Sequence, residues 1–286
     1  MKIQPPKSVL VSGASTGIGR ACALDLDKKG WRVFAGYRKD VDAESLKQNA
    51  SEHLTPVRLD VAESHSIAEA MGGVQTIIGD YGLDALINNA GVAVGGPVEF
   101  VSRDQWRQQF EINFFGAIEL TQHCLPMLRK TQGRIVNVSS IAGRSSMPFT
   151  APYCSSKYAL EALSDSLRLE LRQWGIQVAL IEPGAIETPI WGKATEQTQQ
   201  METESASPVM GLYGRALAQF NQVLNNAAKR AAPVERVVQA VWSALNDEPP
   251  RARYVVGQDA RMRLILKLFP TRFQDWILAK NLGLDA

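Results

Sequence analysis

The stretch Val9-Leu10-Val11-Ser12-Gly13-Ala14-Ser15-Thr16-Gly17-Ile18-Gly19 decides the fold. An apolar run stops at Gly13, and helical periodicity runs from Ile18 to Lys29, ending at Gly30. That pattern is a buried strand, a tight glycine turn and a helix. Outward from it the alternation repeats. Strands are expected over residues 8–11, 31–36, 56–61, 84–88, 133–139, 176–182 and 253–256. Helices are expected over 42–51, 64–79, 102–129 and 151–174, the last with Pro152 in its first turn. Strands alternating with helices imply βαβ units with right-handed crossovers. The fold class is therefore α/β, one doubly wound parallel sheet with helices on both faces, and a ligand belongs beyond the carboxyl ends of its strands.

After Pro183 the pattern loosens. Residues 195–207 are rich in Glu, Gln, Ser and Thr without apolar periodicity, and read as a solvated loop or a mobile lid. Helices are expected over 212–229 and 234–245. Residues 261–282 form an apolar and basic helical extension, carrying Leu264, Ile265, Leu266, Leu268, Phe269, Trp276, Ile277 and Leu278. Packing on the same domain or on a partner subunit is expected of it; a helix on a membrane surface is the alternative. No repeat or linker interrupts the chain. One domain is expected over 1–286, with a variable lid at about 190–228 and a C-terminal helical segment at about 259–284.

Of the 286 residues 45% are hydrophobic and 21% charged, the balance of a globular protein with a substantial core. A formal net charge of +2 gives no reason to expect nucleic acid or an anionic membrane as main partner. Cys22, Cys124 and Cys154 are scattered, so packed thiols are expected rather than a disulfide framework or zinc. His53, His65 and His123 lack ligand spacing, and no metal is expected. The first strand begins too early for a signal peptide, and no apolar run approaches the ~18 residues of a spanning helix, so the expected location is cytoplasmic.

Glycines at 13, 17 and 19 let a backbone turn sharply and approach a pyrophosphate closely, while the following helix offers free N–H groups and a partial positive charge. Such a turn at the head of a doubly wound sheet points to a dinucleotide. The second strand ends Ala35-Gly36-Tyr37-Arg38, with no acid before Asp40. An acid there would accept from the ribose hydroxyl of NAD, whereas an arginine suits a 2′-phosphate. Arg38, with Ser15, therefore favours NADP(H), and NAD(H) is not excluded. Asp60 is placed to meet the adenine amino group.

Tyr153 and Lys157 lie one helical turn apart, on one face. A tyrosine is a poor acid or base near neutrality, and an adjacent ammonium is expected to lower its pKa. Ser139 and Ser140 end the fifth strand, where a hydroxyl can bond a substrate oxygen. Asn113 interrupts the apolar stretch 110–116; its amide either bonds neighbouring backbone or holds a water of a proton relay.

With these motifs together the chain resembles the short-chain dehydrogenase/reductase family, in its non-extended branch. The resemblance rests on Gly13 to Gly19, Asn88-Asn89-Ala90-Gly91, Asn113, Ser140, Tyr153-x-x-x-Lys157, and Pro183-Gly184 with Thr188, over residues 9–188. It implies a Rossmann-type fold and a catalytic set of Asn113, Ser140, Tyr153 and Lys157, with Ser140 chosen over Ser139. In it Lys157 bonds the nicotinamide ribose and Asn113 holds the relay water. It further implies cofactor contacts from Gly13, Ser15, Thr16, Gly17, Ile18, Gly19, Arg38, Asp60, Val61, Asn88, Ala90 and Gly91. Tyr153, Lys157, Pro183, Gly184, Ile186 and Thr188 complete that set. A homodimer or homotetramer through the two long helices is implied as well. Ser12 departs from the threonine that usually opens the glycine motif.

The implied reaction interconverts a small-molecule carbonyl and an alcohol. Val92, Val94, Met147, Phe149, Ile190 and Trp191 suggest a hydrophobic substrate, and the chain is broadly similar to hydroxysteroid and retinol dehydrogenases. Competing readings are an NAD-dependent alcohol dehydrogenase of the same fold and a dinucleotide sensor without turnover.

Overall fold

Val9 and Val11 face one side of the sheet and Leu10 the other, and the same alternation separates Val33 and Ala35 from Phe34, and Ala85 and Ile87 from Leu86. Both faces are buried, which is why these strands read as unbroken apolar runs. A computed structural model describes residues 6–188 and 208–284. Its strands are β1 (Ser8–Val11), β2 (Arg32–Tyr37), β3 (Leu54–Arg58), β4 (Ala85–Asn88), β5 (Arg134–Val138), β6 (Gln177–Pro183) and β7 (Arg253–Val256). All pair in parallel, in the order β3-β2-β1-β4-β5-β6-β7. The order reverses between β1 and β4, so their carboxyl ends flank a crevice.

On one face pack α1 (Gly17–Lys28), α2 (Asp40–Gln48) and α8 (Glu235–Asn246), around Leu26, Leu46 and Val241. On the other pack α3 (Ser64–Ile78) and α5 (Gly116–Thr131), with the far end of α6 (Ala151–Glu170). A third cluster joins Phe149, ahead of α6, to Leu217 and Phe220 of α7 (Pro208–Lys229) and to Leu282. Phe149 meets the Phe220 and Tyr213 rings edge-on, at 5.5 and 6.2 Å. Cys22, Cys124 and Cys154 are free and buried, and burial pushes the Cys22 thiol up to about 12.

Two expected helices divide. The one read over 102–129 begins as α4 (Arg103–Phe110), capped by the Ser102–Gln105 capping box, and passes through a π-helical turn, Glu111–Phe115, into α5. There the Gly116 N–H bonds the Glu111 carbonyl. The extra residue turns Asn113 inward and brings Gly116 against Val61, where a Cβ would lie 2.3 Å from the Val61 carbonyl oxygen. The C-terminal segment splits into α9 (Gln258–Leu266) and α10 (Thr271–Leu282) at Pro270, which has no N–H to continue the ladder. Its packing on the domain is partial: Ala260 and Leu282 are buried, whereas Met262, Ile265, Leu268, Phe269, Phe273 and Trp276 are exposed. No described helix is long and apolar enough to cross a membrane. Of the lid expected at about 190–228, residues 190–207, with Ile190 and Trp191, lie outside the described residues, and the remainder falls within helix α7.

Leu86 sits at the sheet centre with no exposed surface. Leu86→Ala is expected to cost about 2–5 kcal/mol, seen as a lower urea midpoint with an unchanged slope.

Candidate functional site

At the crevice β1 and β4 are tied by side chains. The Ser12 hydroxyl accepts from the Asn89 and Ala90 N–H groups at 3.0 and 3.1 Å, and the Asn89 amide donates to the Ser12 and Gly13 carbonyls at 3.0 Å each. Ser12 thus does work here that needs only a hydroxyl. Gly13 holds φ +64°, and a Cβ there would lie 2.8 Å from Ala90 Cα; at Gly19 it would lie 2.3 Å from Asn89 Nδ2. Beyond them α1 begins with no acidic residue in its first turn and no side chain capping it at Thr16. A close-packed glycine cradle feeding an uncapped helix N-terminus fits a pyrophosphate. Ser15 and Ile18 are half-buried around it and Gly91 stands exposed beside Ala90.

Arg38 follows β2 and Asp60 follows β3, and their side chains approach to 3.9 Å at the rim. Arg38 keeps 57% of its side chain exposed, so its fork remains available to a ligand. Val61 is buried beneath, and the Asp60 backbone N–H is held by the Ser66 hydroxyl.

The structure separates the two serines. Ser139 is buried with its hydroxyl lacking a hydrogen-bond partner, whereas Ser140 turns its hydroxyl toward the Pro183 carbonyl at 3.3 Å and accepts from the Ala142 N–H. Tyr153 and Lys157 share one face of α6, and the Lys157 Nζ donates to the Val138 carbonyl at 2.8 Å, lying 5.9 Å from the Tyr153 ring centroid. Burial brings the ammonium down to about 8, partly opposed by Glu161 one turn on.

The expected lowering of the Tyr153 pKa does not occur. Burial pushes the phenol above its ordinary value; the Ser140 hydroxyl draws it down, Cys154 pushes it up and the Arg263 guanidinium draws it down. The physical reason is that desolvation outweighs the neighbouring charges, and the lysine is engaged with Val138.

Asn113 is nearly full. Its Oδ1 accepts from the Val92 N–H at 2.9 Å, and its Nδ2 donates to the Val92 carbonyl at 3.0 Å and the Ser156 hydroxyl at 3.2 Å. Both donors are engaged and one acceptor lone pair remains. Asn88 is likewise interior: its amide bridges Thr121 and Asn137, binding β4 to α5 and β5. It supports the crevice from below.

Past Pro183 the chain is held by its neighbours. The Gly184 N–H bonds the Val256 carbonyl, the Ala185 N–H bonds Asp259, and Ile186 bridges Ala232. The Thr188 hydroxyl reaches the Ile186 carbonyl at 3.5 Å. Sequence reasoning missed Asp259 and Arg263, because nothing local marks two polar residues of a C-terminal helix as neighbours of a site more than a hundred residues earlier. It also missed Glu161, Glu182 and Arg253. The Arg253 Nε lies 3.0 Å from both carboxylates, directly behind Lys157.

A family model for short chain dehydrogenases matches residues 7–199. The chain is 36% identical to an NADPH-dependent 3-dehydrocapnine reductase of Ornithobacterium rhinotracheale, over 96% of each chain. It is 38% identical to retinol dehydrogenase 16 of Mus musculus, over 95% of this chain and 87% of that one. Among solved structures, a short-chain dehydrogenase from Streptomyces avermitilis matches with a TM-score of 0.75 and 27% identity, covering 94% of this chain and 93% of that one. The chain belongs to the short-chain dehydrogenase/reductase family, and is an oxidoreductase acting between CH–OH and carbonyl groups.

Because Lys157 falls from an ordinary 10.5 to about 8 on folding, the unfolded chain holds more protons between those values. Stability contributed at this site therefore rises with pH across that window. The urea stability of wild type, measured against Lys157→Met, is expected to gain by up to about 1.4 kcal/mol per pH unit there.

Proposed function

We propose that this enzyme uses NADPH to reduce the carbonyl of a small hydrophobic molecule, with Tyr153 as the proton donor. One observation carries the reading: the Ser140 and Tyr153 hydroxyls are neighbours at the carboxyl end of β5, with the phenol kept protonated by burial. A protonated phenol suits reduction, in which an alkoxide must be protonated. NADPH, when bound, supplies the hydride. Gly13, Ser15, Thr16, Gly17, Ile18 and Gly19 hold its pyrophosphate, Arg38 its 2′-phosphate, and Asp60 and Val61 its adenine side. Ala90, Gly91 and the stretch Pro183, Gly184, Ile186 and Thr188 flank the rest, supported by Asn88.

Ser140 orients the substrate oxygen and stabilises charge on it. Tyr153 gives up its proton to that oxygen. Lys157 bonds the nicotinamide ribose and returns a proton toward the phenol. The remaining lone pair on Asn113 Oδ1 is the acceptor available to a relay water, while its other bonds fix Val92. Val92, Val94, Met147 and Phe149 form the apolar wall of the substrate site, the last two belonging to the cluster under α7. Three buried free thiols fit a reducing cytoplasm, and a homodimer or homotetramer is the proposed assembly.

The test is a cofactor titration followed by turnover. NADPH should bind more tightly than NADH, and Arg38→Ala should remove about 1.5–3 kcal/mol of NADPH affinity while leaving NADH unchanged. With a carbonyl substrate, Tyr153→Phe should lower kcat by roughly 10²–10⁴-fold without weakening NADPH binding. Equal affinity for the two cofactors would assign the enzyme instead to NAD-dependent alcohol oxidation.

A further inference from the structure

Arg263 is a half-buried cation with no direct ion pair among the described residues, the Asp259 charge acting on it from one turn away. Its helix, α9, is set by Asp259, whose carboxylate bonds the Ala185 N–H at 2.8 Å and fills the space that side chains at Gly184 and Gly257 would need. One turn further on, Arg263 projects from the same face. One of its nitrogens donates to the Ser145 carbonyl. Ser145 lies five residues beyond Ser140, on the stretch that leads through Met147 and Phe149 into α6 and Tyr153. α9 therefore links the loop after Pro183 to the loop after Ser140.

A guanidinium has five N–H donors, and Ser145 takes one of them. Among the described residues no carboxylate lies within ion-pair distance of Arg263, and Asp259 is engaged with Ala185. Burial dominates its electrostatics, and Cys154, Asp259, Tyr158 and Tyr153 are the charged or titratable groups around it, in that order. An unpaired cation with much of its hydration removed is unfavourable unless an anion completes it. Two residues past Ser145, Met147 packs against a cluster that holds Phe149 and Phe220, with Tyr213.

We propose that Arg263 is a specificity-determining residue, which selects carbonyl substrates carrying an oxyanion, such as a carboxylate, sulfonate or phosphate, on an apolar chain. The inference rests on the reductase reading above and narrows its substrate class from hydrophobic to amphipathic and acidic. The planar fork receives the oxyanion bidentately, and the aromatic cluster takes the chain.

The experiment compares kcat/KM, with NADPH, for a series of oxodecanoates with the ketone at successive positions and for their methyl esters. At the fitting position the acid is expected to exceed its ester by at least about tenfold, equivalent to 1.4 kcal/mol. Arg263→Gln should abolish that preference while turnover of the ester stays within about threefold, and Arg263→Lys should retain part of it. Decanoate binding, followed by calorimetry on the enzyme–NADPH complex, gives a readout free of turnover, and should weaken about tenfold in Arg263→Gln. Three results would overturn the proposal: no acid preferred while the esters react, a preference that survives Arg263→Gln, or an equal loss for acids and esters, which would make Arg263 a brace for the Ser145 loop. If neither acids nor esters react but decanoate binding depends on Arg263, it is the reductase reading that fails.

Discussion

The carboxyl ends of β1 and β4 are locked to one another by two side chains, Ser12 and Asn89, each bonding the other strand's backbone. The site depends on this lock. It closes the glycine cradle against Ala90 so tightly that a methyl group at Gly13 would collide with the opposite backbone. Open parallel sheets have their ligand crevice where strand order reverses, and here the reversal is held by bonds rather than by packing alone. A second buried chain of amides, Asn88 to Asn137 to Ser164, ties the next strands to α6, the helix carrying Tyr153 and Lys157. Buried polar networks of this kind restrict the elements around them to one arrangement, although Asn88 Oδ1 is itself without a partner.

Behind the reacting face the molecule accommodates an uncomfortable concentration of charge. Glu182 is wholly buried and Glu161 nearly so, with Arg253 between them and Arg144 on the far side of Glu182. Burial raises the Glu161 pKa, Glu182 raises it further and Arg253 lowers it. Oxygens of Ser139, Glu161 and Glu182 lack partners there. A hydrophobic plug would be cheaper to bury. Within the cluster it is Glu161 that acts on Lys157, opposing the desolvation that would otherwise discharge the ammonium.

The π-helical turn at Glu111–Phe115 shows how one inserted residue serves two needs. It turns Asn113 inward to clamp Val92 from both sides of its peptide, and it lets Gly116 reach Val61. Asn113 also donates to the Ser156 hydroxyl, which bonds the crevice wall to α6. The sequence presented only a polar residue in an apolar helix. What stood opposite it was not legible there: the structure sets Val92 backbone against the amide and leaves one acceptor lone pair over.

Much of the fold was legible because its signals are local. Strand β7 falls on Arg253–Val256 as expected, the alternation of apolar runs with helices orders the whole sheet, and Tyr153 and Lys157 share a face because helical geometry compels it. The glycine turn and Arg38 at a strand end are likewise short-range patterns, whose meaning follows from stereochemistry. Other features had no local trace. Ser139 and Ser140 are adjacent and chemically alike, and only the packing of β5 against β6 sends one inward and the other toward Pro183. The direction of the Tyr153 pKa depends on burial and on where Lys157 finds an acceptor, both properties of the assembled core. Asp259 and Arg263 join the site from a segment far along the chain, because β7 delivers α9 to the same edge of the sheet. Sequence alone determined the elements and the chemistry each could carry; desolvation and long-range proximity, which exist only once the chain is packed, decided which side chains share a site and in what state of charge.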